Sequence, residues 1–243
     1  MSSVTAAPLA VLSKYFSLEV YDTASVDEEL TELYALRYQI YCLEREFLCP
    51  ADYPDGLERD AEDSRSAHFA ARNGDGEVVG TARLVLSGEG EVFPFEKHCP
   101  AFPDFSPPPA ALAVEVSRLA VSGNYRRRAG DTLYGVNELE IKRPPETAET
   151  GSRHQRANAP LLVLGLYRQM YRYSRDHGIR YWYAAMEKSL ARVLAIYGFV
   201  FTPIGSEQDY YGPVTPYIGD LEQLEQQLEA ANPDLLWWFR HGP

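Results

Sequence analysis

The sequence predicts an α/β fold with a mixed central sheet flanked by helices, on three observations. Strand-like and helical stretches follow one another in the order strand, helix, strand, strand, strand, helix, strand, helix, strand, which places helices against a sheet. A hydrophobic fraction of 45% is ordinary for a globular protein and supports a sizeable core. A length of 243 residues fits one large domain or two small ones. We read residues 1–243 as a single domain carrying a mobile insertion at about 138–159.

Each element follows from local pattern. "YFSLEVYD" reads as the first strand. Ser25 with Glu28 three residues later forms a capping box. Leu30, Leu33, Leu36, Ile40 and Leu43 then recur at helical spacing, predicting one amphipathic helix. "CPADYPDGLERDAEDS" is a loop by its Pro, Gly and Asp content. In "SAHFAARNGDGEVVGTARLVLS" the "NGDG" turn joins two strand-like runs into a hairpin. The proline-rich "EVFPFEKHCPAFPDFSPPP" is irregular, and "ALAVEVSRLAVS" is the next strand. The apolar pattern lapses from Gly123 to Ala159, where "EIKRPPETAETGSRHQRANAP" reads as the insertion. Pro160 then opens a helix that Gly178 closes. "IRYWYAAM" is a strand, "EKSLARVLAIYG" a helix and "FVFTPIG" the last strand, ahead of a charged helix and a hydrophobic coda.

Several function classes are disfavoured. A net charge of −12 speaks against nucleic acid as a partner. No apolar run approaches the roughly 18 residues of a membrane span. The N-terminal apolar patch lacks a basic region ahead of it, so a cytoplasmic location is expected. Cys42, Cys49 and Cys99 include no C-x-x-C pair, which argues against a disulfide framework and a zinc site. No Ser-His-Asp order or metal-ligand cluster is visible, and His68 and His98 read as structural. The charge is uneven, however. Between Gly123 and Arg180 lie eleven Lys plus Arg against six Asp plus Glu. Arg168, Arg172 and Arg175 fall on one helix face there. Such a segment suits either an anionic partner or a solvated surface.

The chemistry concentrates around "VEVSRLAV". Glu115 and Arg118 interrupt an apolar strand, and an unpaired charge in that setting costs several kcal/mol, roughly. The two therefore form either a structural bridge or part of a site. Arg37, Tyr41, Phe47, Asp60, Asp63 and Arg83 are further charged or aromatic residues set among apolar neighbours. Three arginines and three carboxylates, counting Glu115, could close a neutral ion-pair network. Arg37 and Arg83 would otherwise shape a pocket for an anionic group. Tyr181, Trp182 and Tyr183 read as core.

These positions resemble the acyl-homoserine-lactone synthases. Arg37 precedes Tyr41 by four and Phe47 follows six later; then come Asp60 and Asp63 as D-x-x-D, Arg83 in "GTARL", and Glu115 with Arg118 in "EVSRLAV". The resemblance covers roughly residues 15–125, with Phe47 where Trp is usual and Tyr41 where Phe is common. "YWYAAMEKSLARVLAIYGF" and "VTPYIGDLEQ" look more like the long-chain N-acyl amino acid synthases and the acyltransferases associated with PEP-CTERM/exosortase systems. The resemblance implies a Gcn5-related N-acyltransferase-like fold and transfer of a medium- or long-chain acyl group to the amine of an amino acid or similar acceptor. The donor implied is an acyl-phosphopantetheine, on acyl carrier protein or as acyl-CoA, with no permanently bound cofactor. Glu115 is the candidate general base, and backbone N–H groups of residues 118–122 the candidate oxyanion donors. The donor-binding turn would be "VSGNYRRRAG": Val121, Ser122, Gly123 and the basic Arg126, Arg127 and Arg128, which suit an acidic carrier protein. Two other readings stay open: a lactone synthase using S-adenosylmethionine, and a non-catalytic acyl-binding module.

Overall fold

The computed structural model describes residues 16–25, 27–88, 90–125 and 159–242. All but the last residue of the expected insertion lies outside them, as do Arg126, Arg127 and Arg128. The sheet grows from the predicted hairpin. Strands β2 (Ser66–Arg72) and β3 (Val78–Leu86) pair antiparallel around the Asn73–Gly76 turn, where Gly76 takes φ 83°. Their alternation leaves Ala67, Phe69, Ala82 and Leu84 in the main core. Strand β1 (Ser17–Tyr21) adds to β2, and β4 (Ala113–Val121) to β3, both antiparallel.

Helix α1 (Asp27–Tyr38) crosses from β1 toward the sheet. It buries Leu30, Leu33 and Tyr34 against Ala70. The expected long α-helix does not continue through Leu43. Residues Gln39–Glu44 form a π-helical turn instead, with the Arg45 N–H reaching back to Ile40 O at 2.9 Å. The wider turn shifts the register by one residue, so Ile40 and Cys42 are buried and Leu43 is exposed.

Helix α2 (Ala159–Asp176) returns the chain to the sheet through Leu162, Leu166 and Met170. It delivers β5 (Tyr181–Met186), which lies parallel to β4. That pairing lasts only from Ala113↔Tyr181 to Glu115↔Tyr183, although both strands run on. The sheet therefore splits open directly after Glu115. Helix α3 (Lys188–Ile196) leads to a strand much shorter than expected, β6 (Thr202–Pro203). The main antiparallel partner of β5 is β8 (Pro213–Asp220), joined to the two-residue β7 (Gln208–Asp209) by a tight hairpin. Pro213 and Pro216 remove amide donors, and that composition hides β8 from a strand reading.

The charged helix is α4 (Leu221–Ala231), and the coda is also a helix, α5 (Pro233–His241). Phe239 is fully buried, its ring edge-on to Tyr171 and 5.1 Å from Phe199. Arg172 donates to the carbonyls of Phe239 at 3.0 Å and Gly242 at 2.9 Å, and the buried Arg168 also donates to Gly242. Arg175 pairs with Glu225 at 3.4 Å. Two arginines of that helix face thus cap the last turn of α5 and the third pairs with α4, so an anionic partner does not find them waiting. Among the described residues, no helix is long and apolar enough to cross a membrane. Truncating Phe239 to Ala should cost about 3–5 kcal/mol; urea denaturation of Phe239→Ala against the unaltered protein measures it.

Candidate active site

The charged residues picked out in the sequence meet at the edge of this split, in an arrangement with one additional member. Arg37, on the last turn of α1, donates Nε to Glu58 at 2.5 Å and both Nη atoms to Asp63 at 2.8 and 3.1 Å. Arg83, from β3, reaches Asp60 and Asp63 through Nη1, each at 2.6 Å, and Ser117 Oγ through Nε at 3.0 Å. Arg118, from β4, holds Glu58 at 3.0 Å and Asp60 at 2.7 Å. Each guanidinium bridges two carboxylates and each carboxylate two guanidiniums. The six groups close into a neutral ring.

The carboxylates come from one segment. Asp60 caps the 3-10 turn Ala61–Arg65, accepting from the Glu62 N–H at 3.0 Å, while Asp63 accepts from the Asp60 N–H at 2.8 Å. Glu58 is fully buried, and its chain position is fixed by its N–H donating to Tyr34 O at 3.1 Å. Burial alone would raise all three carboxyl pKa values. The guanidiniums outweigh it and hold Glu58, Asp60 and Asp63 below their ordinary range. His68 lies beneath the ring with Nε2 3.4 Å from Asp63 O, and burial lowers its pKa to about 4.

Glu115 is not the third carboxylate, and Arg118 is not its partner. The missed residue is Glu58, two positions ahead of the D-x-x-D pair; the alternation in "LERD" is the signal that could have revealed it. Backbone geometry explains the exchange. A regular strand would put residues 115 and 118 on opposite faces. Here β4 carries a bulge: Ser117 pairs with Arg83 and Ala120 with Thr81, so Arg118 and Leu119 together face Ala82. Arg118 takes φ 49°, which turns its guanidinium back onto the ring.

Glu115 stays beside the ring but outside it. Among the described residues its carboxylate accepts one hydrogen bond, from the Phe95 N–H at 2.9 Å. Burial pushes its pKa up to about 7, with the amide, Arg83 and Arg118 only partly opposing. It lines a cavity of about 420 Å³ together with Ser117, Arg83, Arg118 and Asp60. Tyr41, Phe47, Tyr53, Tyr210 and Tyr211 give this cavity aromatic walls. Tyr41 stacks on Phe47 at 6.5 Å, donates its hydroxyl to Leu119 O at 3.2 Å and lies 5.6 Å from the Arg118 guanidinium. Arg37 does not reach the cavity wall, because its donors are spent within the ring. Of the expected donor turn, Val121 pairs with Gly80, the Ser122 N–H donates to Val79 O at 2.9 Å, and Gly123 begins a 3-10 turn. Among the described residues, no group of three His, Cys, Asp or Glu side chains is placed to hold a metal ion.

Residues 36–135 match a family described as the acetyltransferase (GNAT) domain. Among curated proteins, none matches the chain. Solved structures resemble it over most of its length. The protein TofI, in a ternary complex with an inhibitor and MTA, is 17% identical with a TM-score of 0.62, covering 90% of this chain and 99% of its own. BjaI, a CoA-dependent acyl-homoserine lactone synthase with SAM and isopentyl-CoA, is 21% identical with a TM-score of 0.62, covering 89% of each chain. The acyl-homoserine-lactone synthase LasI is 15% identical with a TM-score of 0.59, covering 89% of this chain and 96% of its own. The chain has a GNAT-like α/β fold, a mixed central sheet flanked by helices.

Two outcomes follow for stability. Glu58→Gln leaves Arg37 and Arg118 without a full counter-charge in a buried site, and should cost about 3–5 kcal/mol in urea denaturation at neutral pH. Glu115 acts in the opposite sense to the ring carboxylates. Its folded-state pKa lies above the unfolded one, so the folded state binds the extra proton and stability falls as pH rises from about 4.5 to about 7. Glu115→Gln should remove that slope and leave the variant more stable than the unaltered protein at pH 8, measured by thermal denaturation across pH.

Proposed function

We propose that this protein forms an amide from an acyl thioester and a primary amine, with Glu115 as general base. One observation carries the reading: a buried carboxylate with, among the described residues, a single amide donor and no ion-pair partner, where β4 and β5 separate, on the wall of a cavity. Its pKa near 7 suits proton transfer at neutral pH. The acceptor amine attacks the thioester carbonyl carbon as Glu115, directly or through one water, takes the proton. The C–S bond then breaks, and the thiolate leaves with a proton as the free thiol. The bulge leaves Arg118 and Leu119 without rung partners, so their N–H groups are candidates to meet the oxyanion. The donor thioester, on CoA or on acyl carrier protein, would enter through the split between β4 and β5.

S-adenosylmethionine is the acceptor favoured here. The similar structures include one holding SAM and isopentyl-CoA and one holding MTA. Aromatic walls beside carboxylates also suit a sulfonium cation. A free amino acid is the second reading, favoured by the resemblance of "YWYAAMEKSLARVLAIYGF" and "VTPYIGDLEQ" to long-chain N-acyl amino acid synthases. Both acceptors present an α-amino carboxylate. Arg126, Arg127 and Arg128 would meet an acidic carrier protein.

The test is thiol release from a panel of acyl-CoA and acyl-carrier-protein thioesters, offered S-adenosylmethionine or single amino acids, with products weighed by mass spectrometry. A lactone with methylthioadenosine supports the first acceptor, and an N-acyl amino acid the second. Glu115→Gln should lower turnover at least about 100-fold with thioester binding retained. The rate should rise with pH through about 7 as Glu115 loses its proton. Binding of thioester without thiol release from any pair would reduce the protein to an acyl-binding module.

A further inference from the structure

Among the described residues, the one hydrogen bond to the Glu115 carboxylate comes from outside its sheet. It is given by the 3-10 turn Pro94–Lys97, part of the proline-rich stretch that reads as irregular. That turn is fastened at two places to the β6–β8 segment. At its exposed end the His98 ring lies flat on Tyr210, centroids 4.1 Å apart and planes 12° from parallel. Further along, the Phe102 N–H donates to Ile204 O at 2.6 Å and Ala101 forms a bridge with Gly205. A Cβ on Gly205 would sit 2.3 Å from Pro100 O, so only glycine permits this approach.

The Tyr210 clasp is built with strain. It belongs to the turn Asp209–Gly212, where Tyr211 takes φ 56° and Gly212 φ 104°. The Tyr210 N–H donates to Gly212 O at 3.0 Å, and the Gly212 N–H to Asp209 Oδ1 at 3.2 Å. A non-glycine residue at positive φ costs about 1 kcal/mol or more and persists only where its surroundings enforce it. The backbone links are short. The His98 and Cys99 N–H groups both donate to Phe95 O, at 3.0 and 2.7 Å, so the stacked end of the turn holds Phe95 on its carbonyl side, one peptide beyond the N–H that meets Glu115.

We propose that Tyr210 and Gly205 are positioning residues that clamp the Phe95 amide onto Glu115 and so govern the protonation of that carboxylate. The consequence for turnover rests on the reading of Glu115 as the base; the clamp itself does not. The other ionisable groups facing Glu115 leave little to replace a lost amide. Arg83 from β3 and Arg118 from β4 lower the Glu115 pKa, but each is already shared between two ring carboxylates. Glu62, from the 61–65 turn, raises the Glu115 pKa. Burial raises the pKa values of Cys99 and Tyr210, and the Glu115 carboxylate adds to both. Lys97 and His98 line the same cavity, and Lys97 pairs with Glu62 at 3.0 Å.

Carboxyl-labelled glutamate in the full chain, followed by carbon NMR across pH, tests this without any substrate. The Glu115 signal is the one missing from Glu115→Gln. In Tyr210→Ala and in Gly205→Ala its midpoint should rise by about one pH unit, the scale of one hydrogen bond to a carboxylate. In Tyr210→Phe, which keeps the ring stack, it should coincide with the unaltered protein. An unmoved midpoint in Tyr210→Ala overturns the clamp. So does a downward shift, which water entering beside Glu115 would produce. An equal rise in Tyr210→Phe overturns it too, by assigning the effect to the hydroxyl. If Gly205→Ala does not fold, Tyr210→Ala decides alone. Absence of acyl transfer in every assay would sink the proposed function while leaving this titration readable.

Discussion

The six-membered ring of Arg37, Asp63, Arg83, Asp60, Arg118 and Glu58 is the constraint on which the rest of the site depends. A buried ion costs several kcal/mol, roughly, and a salt bridge offsets this only when every donor and acceptor is served. Here each guanidinium spans two carboxylates, so no member can leave without exposing two neighbours. The ring ties the end of α1, the 58–65 segment, β3 and β4 to one another. The cavity walls inherit their positions from it: Tyr41 leans on Arg118, and Ser117 on Arg83. A purely apolar contact among those elements would have tolerated sliding; a fork of directed hydrogen bonds does not.

Glu115 owes its character to being left out of this ring. The nearby arginines could hold it ionised, yet their charge is already answered. Burial therefore prevails over the Phe95 amide and the remaining pull of Arg83 and Arg118. Neighbouring carboxylates a few residues apart in space are thus driven in opposite directions. Three have their pKa values lowered within the ring that supports the wall, and one is poised to gain and lose a proton. This division between structural and chemical carboxylates is made by partner count rather than by residue type.

Much of this was legible in the sequence, and the failures have physical causes. The order of charged residues set among apolar ones foretold that a network existed, because such residues need partners. Five of its six members were legible; the sixth, Glu58, was not, and Glu115 stood in its place. Strict alternation cannot foresee the bulge at Arg118, and Glu58 looked like one more acid in a polar loop. The hairpin, β4, α2 and β5 follow from period and turn chemistry alone. Helix α1 ends early because a π-helical turn leaves no trace in the spacing of Ile40 and Leu43, and β8 hides behind two prolines. Arg168, Arg172 and Arg175 share a face as their spacing requires, but only the folded chain shows what meets that face.

The ring also bears on the order in which the chain can assemble. Its pairs span 20 to 60 residues of sequence, from Arg83 with Asp63 to Arg118 with Glu58. Closing such loops costs chain entropy before any contact repays it. The carboxylates sit on one short segment, whereas the arginines arrive on three separate elements. Until α1, β3 and β4 have all docked, the ring holds unmatched charge and favours water over the interior. The geometry therefore acts as a checkpoint on folding: the cavity gains its wall only once the sheet behind it is complete, and a half-assembled chain has no pocket to offer.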